Sequence, residues 1–583
     1  MDGSEAYYPA AVREMIECNN YLVPQLNYQI YFSKPIMTFW LIASAYHMFG
    51  INEFASRFWS CVFCIVVATF TAYTGATIRG ARVGLLAGLI IAACPAYLAY
   101  LRVSSVDAFF SSFLSISFLS LLMVVFGNRK YFWPLIYIGL AGAVLTKGPA
   151  GLVLAFAGAG LAAVLSFRSW KSFWPAFKSI QPVWGVLLWA GLTLPWFYAV
   201  SQATDGLFIK GFLGYENIGR ASGHTNLNPS YWFKYPLEML ATFFPWILFL
   251  PAFLAVSFRE IRSGASWADD ANISTIGLNP KTICLGFASA VYILFSFSKT
   301  QMETYIIPSF VPFAMYFALN ISDYLDKFES SPAMCSDLSK RWTNAVSMIA
   351  LVFGIVAFGA GFASHCFLKG APIWMCVVLA LAGLILSAGM FLLRRNYKQG
   401  QLWTGISTCL VLQAVATGLM VNTGNEYIYA KITRPLHELC KLIADKPAQV
   451  GYYTDCRLSL MYYLKRPVYC FYQAERVVPV AAFNAPLSED AKNFPLYILS
   501  KVSNAKQLVA HGIELKEEAV KGDWGLYLAP GRRIEPYETI EATFAKQSWD
   551  QLMHSNFNTG PLTIPLSGGT RYKHNELDPF SYR

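Results

Sequence analysis

The sequence predicts a polytopic α-helical membrane protein that ends in a small soluble α/β domain. Three observations predict this. The chain of 583 residues is 55% hydrophobic and only 14% charged, against about 25% charged in soluble domains. About twelve apolar stretches reach the length of roughly 20 residues that a helix needs to cross a bilayer. From Asn422 onward charge rises, apolar runs shorten, and helix-like and strand-like segments alternate, the pattern of a small α/β domain.

Three segments follow from these shifts: a polar opening at 1–53, a membrane core at 54–421 and a terminal domain at 422–583. In the opening, Glu5 to Glu17 sets Ala6, Tyr7, Ala10, Val12 and Met15 between charges, which predicts an amphipathic helix lying at the membrane interface. Residues 35–49 are apolar but short and follow a Lys-Pro break, so they predict a second interfacial helix. Spans are predicted at 54–78, 83–103, 106–126, 131–146, 149–167, 183–200, 237–258, 281–297, 304–320, 344–367, 371–393 and 402–421. Lys147-Gly148-Pro149 separates the fourth and fifth as a sharp reversal, and a long polar loop at 201–236 interrupts the core. The terminal domain reads as helix 434–445, strand 449–454, helix 458–464, strands 467–471 and 495–500, helix 505–511 and strand 525–529. A polar, irregular tail with Gly568-Gly569 follows.

The net charge of +11 points to membrane orientation and not to nucleic acid. After the first span every second turn is basic, as at Arg79/Arg82, Arg129/Lys130, Arg259/Arg262 and Arg394/Arg395, while the alternate short turns hold single cations. The basic set is therefore cytoplasmic. An even number of spans returns the chain to its starting side, so the opening segment, the loop at 201–236 and the terminal domain share the extracytoplasmic face. A polar opening that crosses the membrane with no preceding helix or signal peptide is unusual. The expectation is a start assigned too late, with a first span missing and thirteen in all. Twelve cysteines show no ligand spacing. Those inside apolar runs, including Cys61-Val62-Phe63-Cys64, read as packing residues. Cys440, Cys456 and Cys470 lie in the terminal domain, where a Cys456–Cys470 disulfide is the expected pair.

Chemistry-bearing residues gather on the predicted outer face. Asp107 opens a span, where a carboxylate is favoured by the helix dipole and where an ionisable group at membrane depth commonly has a function. Lys34, in Tyr31-Phe32-Ser33-Lys34-Pro35, is either a snorkelling side chain or a cation for a phosphate. Lys147, Lys299 and Arg220 stand at other outer turns, and together these cations suit an anion-binding ring. His224 is alone in its loop, without a second ligand at metal spacing. No phosphate-binding glycine loop or serine-histidine-aspartate set is present.

The motifs resemble a known family. Glu5-Ala6-Tyr7-Tyr8, Arg13-Glu14-Met15, Val23-Pro24, Tyr31-Phe32-x-Lys34-Pro35, Phe49-Gly50 and Glu53-Phe54-Ala55-x-Arg57-Phe58 are similar to the opening region of bacterial GT-C glycosyltransferases. The nearest are the aminoarabinose transferases that modify lipid A and the wider protein-mannosyltransferase-like group. Asp107 matches their later acid, Thr146-Lys147-Gly148-Pro149 their Thr-Lys-Gly-Pro turn, Glu216-Asn217-x-x-Arg220 their large loop, and Thr304-Tyr305-Ile306-Ile307-Pro308 their Tyr-Ile-Leu-Pro helix. The resemblance covers residues 1–320 or so.

It implies a monomeric GT-C fold of thirteen spans, and sugar transfer from a polyprenyl-phosphate donor to a lipid, glycan or protein acceptor of the envelope. It implies Asp107 with Glu5 or Asp2 as catalytic acids, and Lys34, Lys147, Arg220, Tyr305 and Tyr31 around the donor phosphate. Tyr8, Glu216 and Lys299 stand beside them. Three departures qualify the match. Ser4 occupies the family's first aspartate position, Ser33 its metal-contacting glutamate and Asn217 the histidine of its Glu-His pair. The last two weaken that metal site and imply no tightly bound metal there, leaving a divalent ion as the alternative; no cofactor is expected. The alternative function class is a polytopic lipid or sugar transporter without transfer chemistry, which predicts broken helices at the midplane and repeated halves.

Overall fold

The computed structural model describes residues 5–26, 29–100, 102–166, 170–219, 231, 233–244, 246–263, 278–298, 301–330, 348, 352, 355–356, 358–359, 372–429, 433–446, 448–453, 459–464, 469–471, 477–479, 495–530, 532–534 and 563–565. Helices in chain order are α1 (Tyr7–Glu17), α2 (Met37–Phe49), α3 (Glu53–Arg79), α4 (Ala81–Ala92), α5 (Pro95–Tyr100), α6 (Val106–Val125), α7 (Trp133–Lys147), α8 (Ala150–Leu165), α9 (Trp170–Ser179) and α10 (Pro182–Ala203). They continue as α11 (Lys234–Thr242), α12 (Leu250–Ser263), α13 (Pro280–Ser296), α14 (Phe310–Ser330), α15 (Ile373–Lys398), α16 (Leu402–Ile428), α17 (Arg434–Lys441), α18 (Ser459–Leu464) and α19 (Val502–Ala510). The chain divides into two compact units: Met1–Ser56, Ala199–Arg220 and Glu426–Arg583 form one, and Arg57–Tyr198 and Ala221–Asn425 the other.

The second unit is a membrane bundle. Among the described residues six helices are long and apolar enough to cross a membrane: Glu53–Arg79, Val106–Val125, Pro182–Ala203, Glu303–Ser330, Ile373–Lys398 and Leu402–Gly424. Ala81–Ala92, Ala150–Leu165 and Pro280–Ser296 are apolar but shorter. The apolar windows of Val106–Val125 and Glu303–Ser330 are 89% and 94% buried, against 22% for Pro182–Ala203. The first two are therefore the axis of the bundle, and the third faces outward to lipid. Small residues set the closest approaches, as they do where helices pack without a hydrophobic drive. A Cβ on Gly139 of α7 would sit 2.7 Å from the Phe113 carbonyl of α6, and one on Gly286 of α13 would sit 2.6 Å from Ala162 of α8.

Two predicted spans are broken, which corrects the expectation of continuous helices at 83–103 and 237–258. The first is split into α4 and α5 before Pro95, because proline has no N–H to continue the ladder. The second becomes α11, a 3₁₀ turn at Trp246–Phe249 and α12. Carbonyls freed in hydrocarbon need partners inside the protein, and α16 supplies them. Gln413 Nε2 donates to the Phe244 carbonyl at 2.7 Å and to that of Ala93 at 3.5 Å, and its Oε1 accepts from Trp246 Nε1 at 2.7 Å. Thr417 Oγ1 donates to the Ala93 carbonyl at 3.3 Å. Most of the predicted span at 344–367 lies outside the described residues.

At the far end of α14 the basic turns meet acids that the charge count did not single out. Arg79 lies 2.8 Å from Asp323, and Arg82 lies 3.1 Å from both Asp326 and Glu329. Lys281, 1% exposed, sits 2.5 Å from Asp323 and 3.3 Å from Glu260. A lysine this deep is tolerated because two carboxylates face it.

The first unit carries the polar segments. Its five-stranded sheet joins strands Tyr469–Phe471, Gln449–Tyr453, Leu496–Lys501, Trp524–Ala529 and Lys516–Lys521 in that spatial order, the first three parallel and the last two antiparallel. Leu508 of α19 packs with Tyr453, Leu496, Ile498 and Ala529. The edge strand Lys516–Lys521 was not predicted, since its charges hide any alternation; such charge suits an edge. The predicted irregular tail is corrected at Thr563–Pro565, a strand that pairs antiparallel with Gln29–Tyr31, which in turn pairs with Gln25–Leu26.

The helix predicted in the opening segment is α1. Pro9 to Met15 are buried within the unit. Arg13, 1% exposed, lies 3.4 Å from Glu14 and 3.2 Å from Glu17, and Nη1 reaches the Tyr462 carbonyl of α18 at 3.4 Å. Charge pairing inside the helix lets its polar side leave water. Cys440 is buried with a free thiol, so it forms no disulfide. The Cys456–Cys470 pair falls on residues outside the described side chains.

Replacing Gln413 with leucine should lower the thermal midpoint in detergent or nanodiscs, because the Trp246 N–H and the Phe244 carbonyl lose their partner at once. The expected cost is about 1–3 kcal/mol. An unchanged midpoint would mean that the two breaks are satisfied without α16.

Candidate functional site

In the membrane unit the site forms where three helix ends meet. Ser105 caps α6 in extended backbone and accepts from the Ala108 N–H at 3.2 Å. With the cap filled by serine, the carboxylate of Asp107 in the first turn is available to other partners. On α7 the apolar run ends at Lys147, and Gly148 takes φ +80°, a conformation that glycine adopts without strain. Pro149 then precedes α8. The Thr-Lys-Gly-Pro sequence is thus a reversal that leaves Lys147 at its apex.

Lys147 Nζ pairs with Asp107 Oδ1, and the two side chains are 14% and 16% exposed. Thr304 Oγ1 donates to Asp107 Oδ2 at 2.6 Å. The Lys147 ammonium also lies 4.2 Å from the Tyr305 ring centre and 5.2 Å from that of Phe110, within cation–π range. Tyr305 in turn lies 4.8 Å from the Phe295 ring.

Thr304 and Tyr305 belong to a 3₁₀ turn, Glu303–Ser309, that leads into α14. Tyr100 donates to Glu303 Oε2 at 2.6 Å, and Tyr235 donates to the Met302 carbonyl at 3.2 Å. Gln301 is fully buried; it accepts from the Tyr231 N–H at 3.1 Å, and its carbonyl accepts from Lys234 at 2.9 Å. Burial, followed by the nearby Glu238, Tyr305 and Asp107 charges, raises the Tyr235 phenol well above its ordinary range, so it acts as a donor.

The opening unit holds the other predicted residues. Glu5 is 8% exposed. Tyr8 and Tyr31 both stand edge-on to Phe39 of α2, at 5.9 and 6.1 Å. Lys34 Nζ donates to its neighbour's carbonyl, Ser33 O, at 2.8 Å. The loop after α10 includes a π-helix at Lys210–Gly219, unforeseen in the sequence. Gly211 in it passes so close to Phe32 that a Cβ would meet the ring at 2.5 Å. Asn217 there donates to the Phe212 carbonyl at 2.7 Å. Asp2, Ser4, Arg220, His224 and Lys299, and the side chain of Glu216, lie outside the described residues.

The motif residues Arg13 and Glu53 prove to be contacts to the terminal domain. Tyr463 donates to Glu53 Oε1 at 2.6 Å and stacks on His437 with ring centres 4.1 Å apart. Burial, then the Glu53 hydrogen bond, raises the Tyr463 phenol and keeps it protonated. Burial and then Lys441 lower the His437 imidazole, which keeps it neutral at pH 7. Sequence reasoning thus brought Asp107, Lys147 and Tyr305 to one site. It missed the Thr304 hydroxyl, although Thr304 adjoins Tyr305 in a quoted motif, and it missed Tyr100, Gln301 and Glu303.

The fold is similar to that of a solved membrane protein. Superposition on ArnT from Cupriavidus metallidurans bound to undecaprenyl phosphate gives a TM-score of 0.72 at 18% identity, over 91% of this chain and 94% of that one. The same protein in the apo state gives 0.69. Residues 33–197 match the dolichyl-phosphate-mannose-protein mannosyltransferase family. Over 464 residues the chain is 24% identical to an undecaprenyl phosphate-alpha-4-amino-4-deoxy-L-arabinose arabinosyl transferase of Enterobacter sp. (strain 638), covering 77% of this chain and 78% of that protein. A relative of the same description from Serratia proteamaculans (strain 568) is 24% identical over 426 residues, 72% of this chain and 71% of that protein. In fold the chain is similar to ArnT, and in sequence it is similar to the aminoarabinose transferases and, over residues 33–197, to the protein mannosyltransferases.

Proposed function

We propose that this membrane protein moves a sugar from a polyprenyl-phosphate donor to an envelope acceptor, a lipid A-like glycolipid, a polysaccharide or a protein. The observation that carries the reading is the Asp107–Lys147 pair at two helix ends, in a chain whose fold is that of a protein described with undecaprenyl phosphate bound. The acceptor oxygen bonds to the anomeric carbon as the bond from that carbon to the phosphate oxygen breaks, inverting the centre. The acceptor proton passes to a carboxylate, and the polyprenyl phosphate leaves with both electrons of the broken bond. A phosphate leaves readily, so what speeds the step is positive charge on it. Lys147, oriented by Asp107 and flanked by the Tyr305 ring, suits that role, as do Lys34, Arg220 and Tyr31 by their motif positions. Glu5 or Asp2 suits the base, a contribution of about 10²–10⁴-fold.

The reading needs no tightly bound metal, because the departures at Ser33 and Asn217 replace an acid and an imidazole with neutral side chains. It sets the protein in the inner membrane with Asp107, Lys147 and the terminal domain outside. Support comes from the axis helix: Thr304 and Asp323 are separated by about 30 Å of helix rise, a bilayer's thickness, with the basic turns at the Asp323 end.

Membranes holding the full chain, supplied with a panel of undecaprenyl-phosphate-linked sugars and each acceptor class, test the reading. Transfer of one sugar is expected; movement of labelled donor across vesicles without transfer would favour a transporter. Asp107→Asn should abolish transfer in protein that still inserts and folds, and undiminished turnover would reduce Asp107 to a helix-end residue. Lys34→Ala should weaken use of the phosphate-linked donor by about 1.5–3 kcal/mol, the scale of a charged hydrogen bond; unchanged donor affinity and rate would remove Lys34 from the phosphate. Of the opening residues, Glu5→Gln should be more damaging than Asp2→Asn or Ser4→Ala, since a carboxylate is ionised at neutral pH and an unassisted hydroxyl is not. Loss of transfer in Ser4→Ala alone would overturn that assignment.

A further inference from the structure

We infer that Thr304 is a positioning residue for Asp107: its hydroxyl fixes the carboxylate in the orientation that presents Lys147, a role that rests on the sugar-transfer reading above. The two carboxylate oxygens have different holders. Oδ1 is paired with Lys147 on α7, and Oδ2 accepts from Thr304 Oγ1 at 2.6 Å. A carboxylate held at one oxygen still turns about its terminal bond, which has a broad torsional well. Held at both, it has one orientation, and the ammonium paired with it has one position.

Thr304 is itself immobilised by its neighbours in the chain. Gln301 is fully buried and bonded through both side chain and carbonyl, Met302 accepts from Tyr235, and Glu303 accepts from Tyr100. On its other side Tyr305 is wedged between the Lys147 ammonium and the Phe295 ring. Three consecutive anchored residues before it and one after it flank a hydroxyl that points at the acid. Ser105 already serves the α6 cap, so the carboxylate is not bound up in ending its own helix. Such outer support is what holds a site within the small tolerance that catalysis requires.

The test compares Thr304→Val, which keeps the shape and removes the hydroxyl, with Thr304→Ser, which keeps the hydroxyl, in the full chain in nanodiscs. With the undecaprenyl-phosphate-linked sugar that the unaltered protein uses, Thr304→Val should lower kcat about ten- to hundredfold, the range of a hydrogen bond to a charged group. KM for the donor should stay within about threefold, and Thr304→Ser should restore most of kcat. A second readout does not depend on turnover. In protein labelled with carboxyl-13C aspartate, the infrared carboxylate band that Asp107→Asn removes should be shifted in Thr304→Val and returned in Thr304→Ser. Thr304→Ala serves in the same two measurements if the valine variant does not fold. An unshifted band, or a kcat loss that serine does not restore, overturns the inference. Active Asp107→Asn protein instead sinks the reading on which it rests, while inactive Asp107→Asn beside a fully active Thr304→Val sinks the inference alone.

Discussion

Hydrocarbon offers no hydrogen bonds and no counter-ions, so each polar group inside the membrane unit must find its partner within the protein. That constraint accounts for the three polar features of the bundle. Gln413 answers the carbonyls and the indole N–H that two helix breaks leave exposed. Lys281 is fully buried between two carboxylates at the far end of α14. Asp107 and Lys147 neutralise one another at the near end. Each arrangement joins elements distant in sequence, so the same interactions that satisfy the polar groups also fix which helices are neighbours.

The two ends of the axis helix differ in what they do with charge. The Arg79, Arg82, Asp323 and Asp326 end is a network of several ion pairs, partly exposed, of the kind that contributes modestly to stability and registers helices against each other. The Thr304 end holds the Asp107–Lys147 pair, flanked by the Tyr305 and Phe110 rings and by a 3₁₀ turn next to buried Gln301.

The opening unit solves the same problem in another way. Arg13 is buried with Glu14 and Glu17 on its own helix, and it reaches the backbone of α18. Glu53 accepts from Tyr463, whose phenol burial keeps protonated. A stretch of residues that reads as an amphipathic surface helix is thereby made part of a packed unit with the terminal domain. The short strand Gln29–Tyr31, just before Lys34, is held between Gln25–Leu26 and Thr563–Pro565, so the residues around the Lys-Pro turn depend on the last part of the chain for their conformation.

Much of this was legible in the residues alone. Length and apolarity located the six described helices that are long enough to cross a membrane, because a helix in lipid must hide its backbone over a fixed thickness. Gly148 and Pro149 marked the reversal that puts Lys147 at a helix end, because only certain residues make such a turn. The alternation of short apolar runs after Asn422 announced the α/β domain, and motif order carried the resemblance to the GT-C glycosyltransferases. What stayed hidden was everything that depends on a partner remote in sequence. Nothing in Glu5 to Glu17 says that Tyr462 will cover Arg13, and nothing in a lone Gln413 says that two broken helices will end beside it. Hydrophobic periodicity reports which side of an element avoids water, but not what takes water's place. For that reason the membrane class, six of the span positions and the acid and lysine of the candidate site were set out by the sequence itself, while the pairing of Asp107 with Lys147, the hydroxyl of Thr304 and the burial of α1 were decided only when the chain closed on itself.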